Sequence, residues 1–215
     1  MGVRTVYLPL STPVQGSIMG SVDMGIVTDI DEIAALQRFQ ERKYFESGLL
    51  TEPPGEPELD KYFGVSVYFG VYSGDEIVGT ARLICGDYPM AGLQFDRKPT
   101  KRLRRFKGTV FEVSRMAVGG SAPPFKVSAL LTRGFLQYVL REPGGALVVA
   151  AVDPPVVRIM RRMHGIPLQV IGKPFGPHGG VDSPATPILI DPLECLEVFS
   201  QPDSRTGAFF LEGLA

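Results

Sequence analysis

The stretch Phe111-Glu112-Val113-Ser114-Arg115-Met116-Ala117-Val118-Gly119-Gly120 decides how this chain is read. It has the pattern of one strand that sets three polar side chains into an apolar run. Alternation begins strictly: Glu112, Ser114 and Met116 fall on one face, and Val113, Arg115 and Ala117 on the other. A strand inside a domain ordinarily carries Val, Ile or Leu at such places, because an unpaired charge away from water is costly. Glu112, Ser114 and Arg115 therefore need partners or a task. Two glycines and Pro123-Pro124 follow, and a helical pattern begins near Lys126. A strand, a small-residue turn and a helix together can hold a phosphate-bearing ligand near the helix N-terminus.

Working outward from it, the preceding segments alternate in type. Met24 to Val27 is a short apolar strand. Thr28 or Asp29 caps a helix that carries Asp31 and Glu32 in its first turn and extends to about Phe45. Pro53-Pro54-Gly55-Glu56-Pro57 interrupts regular structure. Val65 to Tyr72 has the β-branched and aromatic content of a strand. Ser73-Gly74-Asp75-Glu76 turns it back into a second strand, Glu76 to Cys85, with Arg82 embedded. A loop then ends in a basic run.

On the far side, Val127, Leu130, Leu131, Phe135 and Tyr138 mark an amphipathic helix over 126–140. Ala146 to Val152 is continuously apolar, as a strand covered on both faces should be. Asp153-Pro154-Pro155 starts a helix that runs through Met163. Leu168 to Ile171 and Pro187 to Ile190 form an antiparallel pair. Gly172 to Gly176 belongs to the loop between them and lacks P-loop spacing. The tail after Pro192 is short and mostly irregular. This order predicts a mixed α/β sheet with helices on both faces.

Composition narrows the function. At 215 residues the chain is one domain with a short arm. A net charge of −1 offers no global attraction for nucleic acid or anionic membrane. No apolar run approaches the ~20 residues that span a bilayer. The N-terminal residues lack the pattern of a signal peptide. Two cysteines, Cys85 and Cys195, suit a reducing cytoplasm better than a disulfide framework. His164 and His178 lack ligand neighbours at metal-binding spacing, so no metal is expected.

The segment Glu112 to Val118 resembles the Glu-x-Ser-Arg-x-x-Val segment of acyl-homoserine-lactone synthases and of the related N-acyl amino acid synthases. Both have the Gcn5-related N-acyltransferase fold. Ile77-Val78-Gly79-Thr80-Ala81-Arg82-Leu83 resembles their Val-Gly-x-x-Arg-Leu strand, in the same order and with a gap of about thirty residues. The resemblance covers roughly residues 22 to 192. It implies an acyltransferase domain over 22–192, with an N-terminal arm at 1–21 and a C-terminal tail at 193–215.

Acyl transfer to an amine needs a neutral amine, a polarised thioester carbonyl and a proton for the departing thiol. On the residues alone, Glu112 is either a base or a buried carboxylate paired with Arg82 or Arg115. The resemblance implies the base. Ser114 either orients substrate and carboxylate or satisfies nearby backbone. Arg82 and Arg115 present planar forks that suit a carboxylate, or else tie strands together. By resemblance, Met116, Val118, Gly119 and Gly120 bind the donor's pantetheine arm through backbone. The acetyltransferase signature for a pyrophosphate, a basic residue followed by Gly-x-Gly, is absent.

The N-terminal half departs from the synthase pattern. Arg42 and Phe45 occupy the places of an Arg and a Phe on the first helix. Asp60 matches the first of two acids, but Phe63 stands where the second belongs, and the chain has no tryptophan. With Phe95, Arg42 and Asp60 are assigned to the acceptor pocket. These departures point away from S-adenosylmethionine and toward an amino acid or similar small amine.

The basic run holds Arg97, Lys98, Lys101, Arg102, Arg104, Arg105 and Lys107. It is a solvated loop, a clamp on coenzyme A phosphates, or a docking patch for acyl carrier protein, formed by Lys98, Lys101, Arg102, Arg104 and Arg105. The expectation is an N-acyltransferase that moves a fatty acyl group from an acyl carrier protein or coenzyme A thioester to a small amine. No tightly bound cofactor is expected; the phosphopantetheine thioester or acyl-CoA is a co-substrate. Two rivals stand beside it: an acyl-homoserine-lactone synthase that uses S-adenosylmethionine, and a silent protein that binds an acyl-thioester or a partner.

Overall fold

The computed structural model describes residues 22–56, 62–85, 97–176 and 184–214. In chain order they form β1 (Val22–Val27), α1 (Ile30–Glu46), β2 (Ser66–Ser73), β3 (Glu76–Cys85), α2 (Arg97–Arg105) and β4 (Thr109–Val118). There follow α3 (Pro124–Val139), β5 (Ala146–Val152), α4 (Pro154–Arg162), β6 (Leu168–Val170), β7 (Thr186–Ile190), α5 (Pro192–Phe199) and α6 (Gly207–Leu211). The seven strands make one mixed sheet in the order β1-β2-β3-β4-β5-β7-β6. β4 and β5 run parallel, while β1–β2, β5–β7 and β6–β7 are antiparallel. The expected α/β architecture is present.

The described residues gather into two compact units, those within 22–83 and 115–134, and those within 84–114 and 135–214. In the first, Asp29 caps α1 by accepting from the N–H groups of Asp31 and Glu32, both at 3.0 Å. That satisfies two of the donors that a helix start leaves open. Ile33 and Leu36 of α1 cluster with Val27 and Tyr68. Tyr72 donates to Glu32 Oε1 at 2.6 Å, so α1 covers the face of β2 that carries Tyr68 and Tyr72. Phe69 and Met24 lie against Gly134 of α3, on the opposite face. A Cβ at Gly79 would collide with Val127 of α3, which explains a glycine inside β3. Helices on both faces thus follow from alternation along β2.

The second unit is built on β5 and β7, whose residues 146–150 and 186–190 are all buried. Leu103, Val110, Leu147, Val149, Ile171 and Leu189 form one of its clusters, with Phe106 packed against it. Here the basic run corrects a sequence expectation. It is not a loop; residues 97–105 are helix α2, in which Leu103 is buried while Lys101, Arg102, Arg104 and Arg105 are exposed. Pro99 is tolerated because it lies in the first turn.

The tail is a second correction. Rather than irregular, it contains α5 and α6. Phe199 stacks on Phe210 at 4.6 Å, and His164 meets Phe210 edge-on at 6.3 Å. Gln137 of α3 donates to the carbonyl of Glu212 at 2.6 Å. Burying these rings repays the ordering of the last turns.

Candidate active site

β4 positions the residues singled out in the sequence. Its ladder with β5 runs from Thr109↔Ala146 to Val113↔Ala150 and goes no further, although β4 continues to Val118. Two residues on, Arg115 has φ 51°, the left-handed region, and it is the one non-glycine residue there among those described. Such a conformation inside a strand is the geometry of a bulge, and it costs about 1–3 kcal/mol. The simple alternation expected from Glu112 to Ala117 therefore does not carry through Arg115.

Glu112 is 2% exposed and Arg82, on β3, is 6% exposed. Ser114 and Arg115 are half-buried. None of the four is without an interaction partner. Beyond the bulge, the backbone of β4 is braced from two sides within the first unit. Tyr44 of α1 donates its hydroxyl to the carbonyl of Met116 at 3.2 Å. Gly119 donates its N–H to the carbonyl of Val78 at 2.9 Å. A Cβ at Gly119 would lie 2.6 Å from Lys43 Cε, the movable end of a long side chain of α1. In the turn that follows, Gly120 has φ 78° and Ser121 donates to Glu76 Oε2 at 2.6 Å. Lys43 is held by Glu46 at 2.6 Å.

The remaining predicted residues are more dispersed. The Arg42 side chain is 61% exposed and pairs with Glu46 at 3.9 Å, on the outer side of α1. Phe45 is also exposed. Asp60 and Phe95 lie outside the described residues, as does the N-terminal arm; Lys98 lies in α2, but its side chain is outside the description. Arg102 is engaged by Asp191 at 2.7 Å, which leaves Lys101, Arg104 and Arg105 to give α2 its exposed positive face. Tyr44 escaped the sequence reading. Its only signal was its place four residues after Gln40, in the inward row of α1.

Among the described residues no group of three or more His, Cys, Asp or Glu could hold a metal. Cys85 and Cys195 are both free thiols. Burial raises the Cys85 thiol and, with Asp191 and Glu194 nearby, pushes Cys195 up to about 12. Neither has the lowered pKa of a nucleophile. No helix among the described residues is long and apolar enough to cross a membrane.

Comparison with known proteins fixes the family. The profile of the N-acyl amino acid synthase FeeM matches residues 35–191, which include β3, β4 and the turn into α3. The chain belongs to the FeeM family of N-acyl amino acid synthases. It is thereby an enzyme of N-acyl transfer. Among solved structures, FeeM from uncultured soil microbes superposes with a TM-score of 0.64 at 18% identity, covering 88% of this chain and 98% of that one. The acyl-homoserine-lactone synthase LasI gives 0.58 at 16% identity, covering 80% and 89%. MesI, a CoA-dependent acyl-homoserine lactone synthase, gives 0.54 at 18% identity, covering 86% and 89%. At these identities the structures bear on fold, which is that of the Gcn5-related N-acyltransferases. No curated protein matches the sequence.

Proposed function

We propose that this FeeM-family enzyme transfers a fatty acyl group from a thioester to the amine of an amino acid or similar small amine. The observation that carries the proposal is Glu112, a carboxylate only 2% exposed in the middle of β4, three residues before the left-handed Arg115. A buried carboxylate that serves as base needs no preceding solvent reorganisation. In this reading Glu112 takes a proton from the acceptor, directly or through one water. The amine nitrogen attacks the thioester carbonyl, the C–N bond forms, and the tetrahedral intermediate collapses with C–S cleavage. The departing thiolate takes up the proton. Ser114 and Arg115 orient the reacting groups, and Arg82 holds the acceptor's carboxylate. The backbone of Met116 and Val118 in β4, and of Gly119 and Gly120 in the turn after it, receives the pantetheine arm.

Acyl carrier protein is the donor this reading favours over coenzyme A. Its support is the exposed face of Lys101, Arg104 and Arg105 on α2. The acyltransferase domain spans residues 22–192, and the two free thiols suit a reducing cytoplasm. The test is thiol release from an acyl-thioester by purified enzyme with and without amino acid. Release that depends on the amine, and that Glu112→Gln loses by on the order of 10²-fold or more, is expected. Release independent of amine would refute the transfer, and methylthioadenosine release with lactone would make the enzyme a homoserine-lactone synthase.

A further inference from the structure

The inner row of α1 is polar where a helix packed on a sheet should be apolar. Ile33 and Leu36 begin it as expected, but Gln37 and Gln40 continue it at 3% and 5% exposure. Both side-chain atoms of Gln37 and the Oε1 of Gln40 are buried without a hydrogen-bond partner among the described residues. The same is true of the Tyr68 hydroxyl on β2, in a side chain 3% exposed that shares a cluster with Ile33 and Leu36. Each such atom carries the full cost of its lost hydration. Four in one layer is far from the rule that buried polar groups are paired.

The layer has a direction. Gly79 faces Val127 and Leu131 of α3, so Thr80 and Arg82 project from β3 toward the α1 side. Arg82 lies over the Tyr62 ring at 6.0 Å, and Phe63, next in the chain, is 6.2 Å from the Tyr68 ring. At the other end, one helical turn past Gln40, Tyr44 bonds the Met116 carbonyl of β4. The unpartnered amides thus lie between Tyr68 and the strand that carries the proposed thioester segment.

We infer that Gln37, Gln40 and Tyr68 form the recognition site for an amino acid head group. The two amide oxygens accept from the amine, while Gln37 Nε2 and the Tyr68 hydroxyl donate to the carboxylate, beside Arg82. Neutral amide oxygens suit an amine that must lose its charge to react. A carboxylate in their place would hold it as ammonium. The role as acceptor site rests on the acyl-transfer reading, but binding is measurable without turnover.

The experiment takes the full chain with the L-amino acids and their carboxamides as probes. Thermal shift and calorimetry measure binding; steady-state kinetics follow where transfer occurs. At least one L-amino acid should bind wild type, and its carboxamide should bind more weakly. Gln37→Met, Gln40→Met and Tyr68→Phe should each weaken binding, or raise the acceptor KM, on the order of tenfold, with the donor KM unchanged. Their unliganded melting temperatures should hold or rise, because each replaces an unpaired polar group with an apolar one. Unchanged amino acid affinity in all three variants would overturn the inference. So would a loss of melting temperature accompanied by equal rises in donor and acceptor KM, which marks a structural layer. Absence of binding by every probe to wild type would overturn it as well. Binding that follows this pattern without any transfer would keep the site and sink the enzymatic reading instead.

Discussion

The left-handed Arg115 gives a prediction with an unusual sign. In an ordinary strand, glycine is less stable than alanine by roughly 0.5–1 kcal/mol, because the unfolded chain has more freedom to lose. At φ 51° the balance reverses. An L-residue with a Cβ carries a steric cost of about 1–2 kcal/mol there, and glycine carries none. Arg115→Ala and Arg115→Gly remove the same guanidinium and its partners, so their difference isolates the backbone. The glycine variant should therefore be the more stable, by about 1 kcal/mol once its extra entropy is subtracted. For a domain of this size that is roughly 2–4 °C in melting temperature. Urea unfolding of the two variants, compared at equal m-value, measures it. An alanine variant as stable as the glycine variant, or more so, would mean that residue 115 is extended. The bulge in β4, and the early end of its ladder with β5, would then need another explanation.

Other predictions concern titration, reactivity and docking. Burial holds His164 below its ordinary value near 6.5. The unfolded chain therefore binds its proton first as pH falls, and stability should decline from about pH 6.5 down through the lowered folded-state pKa. His164→Gln should flatten that decline in urea titrations, and an equal slope in both proteins would assign it to other groups. Cys195, its thiol pushed up to about 12, should resist iodoacetamide in the native protein at pH 8 and react once unfolded; alkylation at native rates equal to a free thiol would contradict its burial. Lys101, Arg104 and Arg105 reversed to Glu should cost carrier-protein-linked donor tenfold or more, mainly in association rate, and cost a short pantetheine thioester little. The effect should fade with salt as the screening length falls from about 10 Å at 0.1 M to about 3 Å at 1 M. Equal loss for both donors would place these residues in the fold or the pocket.

What the sequence disclosed, and what it concealed, divides along physical lines. The strands were legible because β2, β3 and β5 are dense in β-branched and aromatic residues. The first helix was legible through Asp29 and the acids after it. Helix α2 was hidden because Leu103, the one buried side chain among those described in it, stands among arginines and lysines, too little for a period. The tail was hidden because α5 exposes Leu193 and Val198 as well as burying Cys195 and Phe199, which blurs the apolar stripe. At the site, Glu112 and Arg82 announced themselves as charges inside apolar strands. Arg115's conformation did not, since nothing in an arginine signals positive φ as a glycine would. Gln40, beside Phe39, was legible as a candidate for the buried stripe of α1 and is buried; Gln37 and Tyr44 carried no such signal until the sheet beneath them was in place.

The central claim, acyl transfer onto an amino acid, is tested most directly by mass spectrometry of lipid extracts from cells expressing the protein. The cells would be grown with and without an isotopically labelled amino acid mixture, alongside cells expressing Glu112→Gln. The account predicts a fatty acyl amide whose mass shifts with the labelled amino acid and which all but disappears in the Glu112→Gln cells. An acyl-homoserine lactone as the product, or an amide equally abundant with Glu112→Gln, would contradict it.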